Sequence, residues 1–191
     1  KTAYEFGLGI PAEPLFGSCL VAKHGDYDAA LRLVNDLVKE DKVGYIARCY
    51  PNAHIAYNHK MQDSKVNMIP AAYAAKFSAI GMNVDHNIIA VTDVSHTNAS
   101  DISRISKRVR FEGEVKKGVD YILLDDFITS GAELRDMRDY IQSKGGNVVM
   151  MTTFGHGSFG KLKDIRIDES LIERLKASGI TDQDLRKYGI A

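Results

Sequence analysis

The chain has 191 residues, enough for one α/β domain of ordinary size. Lysine plus arginine equals aspartate plus glutamate at 25 each, so the formal net charge is zero. That balance excludes an overall basic field for nucleic acid and an acidic solvating tail, and any affinity for phosphate must be local.

Lys1 to Gly17 mix aromatics, glycines and the prolines Pro11 and Pro14, and are expected to form an arm over residues 1–25. Phe16 to Ala22 suggest a short strand. Asp26 is placed to cap a helix whose apolar face is Ala30, Leu31, Val34, Leu37 and Val38, with Lys39 to Lys42 closing it. Lys23 and His24, just before that cap, are placed to touch an anion but read first as a solvated loop. Val43 to Arg48 read as the first strand of a core sheet spanning 43–155. Asn67 caps a helix with Pro70 near its start and Gly81 past its end. Ile69, Ala72, Tyr73 and Phe77 form its apolar face. Asn87 to Thr92 read as the second strand. The stretch from Asp93 to Arg110 lacks apolar periodicity and carries Arg104, Lys107, Arg108 and Arg110. A loop of that length inside a compact domain is commonly functional or disordered.

The most informative stretch is Tyr121 to Glu133, Tyr-Ile-Leu-Leu-Asp-Asp-Phe-Ile-Thr-Ser-Gly-Ala-Glu. Its apolar run predicts a buried strand of a parallel sheet. Asp125 and Asp126 then stand at the carboxyl end, where open α/β sheets bind ligands. Thr129, Ser130 and Gly131 make a hydroxyl-rich turn into a helix from about Ala132 to Lys144, and a helix N-terminus suits an anion. Two carboxylates beside such a cradle fit a ligand that also carries a sugar diol or a cation. Leu134, Met137 and Ile141 line the helix, and Gly145-Gly146 stop it. Asn147 to Thr153 read as the fourth strand and Phe154 to Gly160 as a loop around His156. Residues 156–191 are expected to be helical, over Asp168 to Ser178 and Thr181 to Tyr188.

This stretch resembles the signature of the type I phosphoribosyltransferases, which bind 5-phosphoribosyl 1-diphosphate (PRPP). The family pattern is four apolar residues, two acids, two mostly apolar positions, Thr, Thr or Ser, Gly, any residue, then Thr or Ser. Glu133 departs from it, standing where the family has a hydroxyl that helps hold the 5-phosphate. The wider run resembles a branch of this family found inside large mobile-element and toxin-like polypeptides. It matches at Phe111-Glu112-Gly113-Glu114-Val115, Gly118, Tyr121, Asp125-Asp126-Phe127, Leu134, Arg138, Tyr140-Ile141, Gly145-Gly146 and Thr152-Thr153, with Asn67-Met68-Ile69-Pro70 as an Asn-x-Ile-Pro segment.

The resemblance implies a single α/β domain over 1–191, with a mostly parallel open sheet and a small hood. It implies that Asp125 and Asp126 hold the ribose hydroxyls, directly or through Mg²⁺. Thr129, Ser130, Gly131 and Ala132 would hold the 5-phosphate, with Glu133 at the edge of that cradle. Arg48, Tyr50, Asn52 and His54, in the loop expected after the first strand, would lie near the pyrophosphate. Arg104, Lys107 and Arg108 would close over the leaving diphosphate. The implied activity is transfer at the ribose anomeric carbon with release of diphosphate. Two rivals stay open: a PRPP or nucleotide hydrolase serving as a toxin or effector domain, and a non-catalytic regulatory domain that keeps the fold.

Cys19 and Cys49 have no spacing that requires a bridge, and two free thiols in a reduced compartment are expected. No apolar run reaches transmembrane length and no signal peptide is visible, so the expectation is a cytoplasmic protein without membrane or nucleic-acid partners, with a homodimer allowed for. The start at Lys1, without Met, fits a processed product or a piece of a longer polypeptide.

Overall fold

The computed structural model describes residues 16–62, 65–91, 109–128 and 131–156, with 172–173, 176–177, 179 and 181–183. The arm before residue 16, the stretch from Asp93 to Arg108, Thr129, Ser130 and most of the two expected C-terminal helices lie outside them.

Five helices and eight strands form in these residues. The helices are α1 (Phe16–Lys23), α2 (Tyr27–Leu37), α3 (Glu40–Cys49), α4 (Ile69–Ala79) and α5 (Ala132–Ser143). The strands are β1 (His54–Tyr57), β2 (His59–Gln62), β3 (Lys65–Val66), β4 (Asn83–Asp85), β5 (Ile89–Ala90), β6 (Phe111–Glu112), β7 (Asp120–Ile128) and β8 (Asn147–His156). The main sheet has the order β4-β1-β7-β8 and is parallel throughout, so the fold is α/β with a parallel open sheet. A second small sheet, β3-β2-β5-β6, is mixed.

β7 is the spine. Tyr121, Ile122, Leu123 and Leu124 are fully buried, as expected of a strand covered on both faces. Burying each of the three aliphatic side chains contributes about 1.5–3 kcal/mol. Alternation sends Ile122 and Leu124 into a core with Ala72, Tyr73 and Phe77 of α4 and Val34 of α2. Tyr121 and Leu123 go the other way, against Leu134, Met137 and Ile141 of α5. The apolar faces read for α4 and α5 are the buried ones. The Asp26 cap forms as expected, with its carboxylate accepting the Ala29 N–H at 2.8 Å. Asn67 accepts the Ile69 N–H at 3.2 Å at the entry to α4.

Four expected elements differ. Phe16 to Ala22 are helical, because Cys19 and Ala22 fall on one side and pack while Leu20 and Val21 stay exposed. Val43 to Arg48 are the body of α3. Val43 and Ile46 are spaced three apart and both buried, and Glu40 and Asp41 open the helix while Arg48 closes it, which suits its dipole. The same segment therefore does not end in a strand loop. In place of Asn87 to Thr92, the main sheet takes Asn83–Asp85, while Ile89–Ala90 pair in the small sheet. β8 runs on through Phe154 and Gly155 to His156, paired with β7 to its end, so the expected loop does not start at Phe154. Cys19 and Cys49 are both free thiols. Among the described residues no helix is long and apolar enough to cross a membrane.

Candidate functional site

In chain order the main-sheet strands run second, first, third, fourth across the sheet, so the direction of winding reverses between β1 and β7. Open α/β sheets bind ligands outside the carboxyl ends at such a reversal. β1 ends at Tyr57, paired with Leu124, and the next residue, Asn58, extends the ladder through its N–H to the Leu124 carbonyl at 3.0 Å. Asp125 and Asp126 follow Leu124. The double acid thus stands at the reversal, and α5 begins six residues on at Ala132. Gly131 ahead of it has φ 67°, a left-handed conformation that glycine adopts without the strain a Cβ brings.

The two acids point to opposite faces and have different surroundings. Asp126 turns toward α1 and α4. Its Oδ2 accepts the Lys23 ammonium at 2.7 Å and the Asn67 amide at 2.8 Å, and its Oδ1 accepts the Phe127 N–H at 2.6 Å. Lys23 also stands 5.0 Å over the Phe127 ring. Burial pushes the Asp126 carboxyl up, but the Lys23 charge and these hydrogen bonds outweigh it and hold the group below its ordinary value. Burial likewise pulls Lys23 down, and Asp126 more than compensates, so the ammonium ends raised.

Asp125 turns toward α5. Its Oδ1 accepts the Asp126 N–H at 2.8 Å. Burial, then the charges of Asp126 and Glu133, push its carboxyl well above the ordinary range. Glu133, in the first turn of α5, folds back to the sheet, where its Oε2 accepts the Asn58 side-chain N–H at 2.7 Å. A carboxylate in that turn already satisfies the preference of a helix N-terminus for negative charge.

Of the residues expected here, the structure brings together Asp125, Asp126, Gly131, Ala132 and Glu133. Thr129, Ser130, Arg104, Lys107 and Arg108 lie outside the described residues. His54 is displaced from the site. It pairs with Tyr121, four residues before Asp125, which puts it about 13 Å down the strand at the amino edge, its ring 5.8 Å from that of Tyr121. Arg48, Tyr50 and Asn52 precede β1 rather than follow it, because the segment expected to be the first strand is α3. Arg48 lines a surface groove with Asp41, Lys42 and Tyr45. Three residues enter the site that sequence reasoning passed over. Asn58 is hidden by the misplaced first strand, Lys23 reads first as solvated, and Asn67 reads as a cap and as part of the Asn-x-Ile-Pro segment. Thr153 is a fourth, paired with Asp125 across β7 and β8.

The donor set bears on Mg²⁺. Both Asp126 oxygens are occupied, and Asp125 keeps one oxygen unused by the backbone. No group of three His, Cys, Asp or Glu that could hold a metal occurs among the described residues. Among the described residues, Asp125 is thus the member of the acidic pair with an oxygen open to a cation, so a Mg²⁺ held there would take most of its ligands from water and substrate phosphate.

No protein-family model matches the chain. It is 33% identical over 131 residues to Protein TraN of Escherichia coli, covering 67% of this chain and 29% of that protein. It is 33% identical over 123 residues to an uncharacterized protein of Haemophilus influenzae (strain ATCC 51907 / DSM 11121 / KW20 / Rd), covering 63% and 28%. The chain thus spans less than a third of the length of these curated relatives. Among solved structures it is similar to a hypoxanthine-guanine phosphoribosyltransferase from Bacillus anthracis, at 17% identity and a TM-score of 0.46 over 75% of each chain.

Proposed function

We propose that the chain is a phosphoribosyltransferase-like enzyme of the type I kind, which binds PRPP and acts at the ribose anomeric carbon with release of diphosphate. The observation that carries this reading is the position of Asp125-Asp126, near the carboxyl end of the central strand, at the winding reversal, and six residues ahead of α5. Departure of diphosphate from the anomeric carbon leaves an oxocarbenium-like centre. A site lowers that barrier by holding the diol in line and neutralising the leaving group. Asp125 and Asp126 are assigned to the ribose side, and Gly131 and Ala132, with Thr129 and Ser130, to the 5-phosphate. Arg104, Lys107 and Arg108 are assigned to the diphosphate. Asp125 would hold an Mg²⁺ brought with the diphosphate, and the ion would supply charge neutralisation there.

The test is a calorimetric titration with PRPP and Mg²⁺, followed by assay of pyrophosphate release with and without added bases. Saturable binding with base-dependent release supports the transferase. Release without a base identifies the hydrolase reading instead. Replacing both acids, Asp125→Asn with Asp126→Asn, should abolish or strongly weaken binding; unchanged affinity would remove this assignment. A second reading, a non-catalytic regulatory domain, is favoured by one observation: Lys23 already occupies Asp126. Binding without any turnover would select it.

A further inference from the structure

Three neighbouring strands each bring one polar side chain to the same level at the carboxyl edge. Asp125 pairs with Thr153 of β8, and Asn58 follows Tyr57, the partner of Leu124, on the other side. All three lie two residues beyond a side chain packed on the α5 face: Ala56, Leu123 and Met151. They therefore face α5 together, about 4.8 Å apart from strand to strand. Thr152, one residue earlier, faces the opposite side and bonds the Tyr73 hydroxyl at 3.1 Å.

Two members of this row are incomplete. Thr153 is 1% exposed and Asn58 6% exposed, yet Thr153 Oγ1 and Asn58 Oδ1 are buried without a hydrogen-bond partner among the described residues. Folded proteins rarely leave buried polar atoms unpaired without a reason. The Asn58 amide is oriented by its N–H bond to Glu133, which leaves the oxygen turned away from that carboxylate. The next orphan, His59 Nδ1, belongs to a ring stacked on Tyr57 and is not part of the row.

We propose that Asn58, Asp125 and Thr153 form a row that binds the hydroxyl groups of a sugar ligand, with Thr153 as a ligand contact outside the acidic signature. The inference rests on the sugar-binding reading of the double acid. The chemistry is complementary. The Asn58 oxygen accepts, the Thr153 hydroxyl donates and accepts, and the Asp125 carboxyl accepts. Hydroxyls are the groups that answer such a mixed row, since each gives one hydrogen bond and takes others.

The test titrates the full chain with PRPP, ribose 5-phosphate and 2-deoxyribose 5-phosphate, for the parent, Thr153→Val and Thr153→Ser, and records thermal unfolding of each free protein. Valine keeps the shape and removes the hydroxyl. The expected result is that Thr153→Val binds ribose 5-phosphate about three- to tenfold more weakly, the span of one neutral hydrogen bond. Affinity for the 2-deoxy sugar should change less, Thr153→Ser should retain binding, and Thr153→Val should unfold no earlier than the parent. Equal affinity of parent and Thr153→Val for every sugar overturns the row. So does a clear loss of stability in Thr153→Val, which would show that the hydroxyl is used within the protein. If PRPP binds but the parent does not distinguish ribose from 2-deoxyribose, the row fails while the proposed function stands. If no sugar phosphate binds, both fail.

Discussion

Two adjacent aspartates of the same sequence are made into different chemical groups by their neighbours. Asp126 is a clamped carboxylate, with Lys23, Asn67 and the Phe127 N–H on its oxygens. Asp125 is buried, and that burial, then the charges of Asp126 and Glu133, push its carboxyl well above the ordinary range. The stability consequences have opposite signs. Asp125, raised when folded, adds stability below its unfolded pKa of about 3.9, and this is lost as pH rises through its higher folded value. Asp126, lowered when folded, adds stability above about 3.9, and this is lost as pH falls through its lower folded value. Asp125→Asn should therefore gain on the parent as pH rises from 4, while Asp126→Asn should fall behind it by about 1 kcal/mol at neutral pH. The effect is that small, about 1 kcal/mol, because 36% of the Lys23 side chain is exposed and solvent screens the pair. Urea denaturation midpoints of the three proteins between pH 3 and 8 check both signs. Glu133 makes a separate prediction. Its carboxylate competes with any phosphate at the α5 N-terminus, so Glu133→Thr should tighten PRPP binding, by up to about tenfold, the equivalent of roughly 1.4 kcal/mol. Calorimetric titration of parent and variant at equal salt and Mg²⁺ is the check, and equal or weaker binding by the variant would show that Glu133 does not obstruct the ligand.

At the scale of elements, α3 shows how a short apolar run misleads. Val43, Tyr45 and Ile46 have strand-forming side chains, but only Val43 and Ile46 are buried while Tyr45 is exposed. A spacing of three selects the helix. Gly44 lies within that helix, and a Cβ there would come no closer than 3.4 Å to the flexible end of Arg48. Gly44→Ala should stabilise the protein by about 0.5–1 kcal/mol, read as an increase in denaturation midpoint. Gly113 predicts the reverse. Its φ is 126°, and a Cβ would meet the Asn87 carbonyl oxygen at 1.9 Å where the chain leaves β6. Gly113→Ala should cost at least about 1–3 kcal/mol, and a variant that unfolds at the parent's temperature would contradict this packing.

For the whole molecule, the parallel sheet assembles the site from segments far apart in sequence: Lys23, Asn58, Asn67, Asp125, Glu133 and Thr153. A ligand bridging them binds only the folded chain. At a PRPP concentration one hundred times its dissociation constant, with Mg²⁺, the stabilisation is about 2.7 kcal/mol. For a chain of this size that corresponds to roughly 5–10 °C in the unfolding temperature. Thermal melts with and without PRPP test this, and an unshifted melt at saturating concentration would contradict the proposed ligand.

The sequence alone determined the central strand, the helix after it and the double acid between them. These are local properties: a buried run written as continuous apolar residues, a turn that needs Gly131, and a helix whose face repeats at Leu134, Met137 and Ile141. It also determined α2 and α4, through the Asp26 cap and the Ile69, Ala72, Tyr73 and Phe77 face. Only the tertiary structure decided which short segments join the sheet. β1 and β4 have four and three residues, too few for a period to show, and they become strands because β7 and each other offer hydrogen-bond partners. The same holds for the division of labour between Asp125 and Asp126. Charge states in a buried site depend on which distant side chains arrive, and nothing near position 126 announces that Lys23, more than one hundred residues earlier, comes to rest 2.7 Å away.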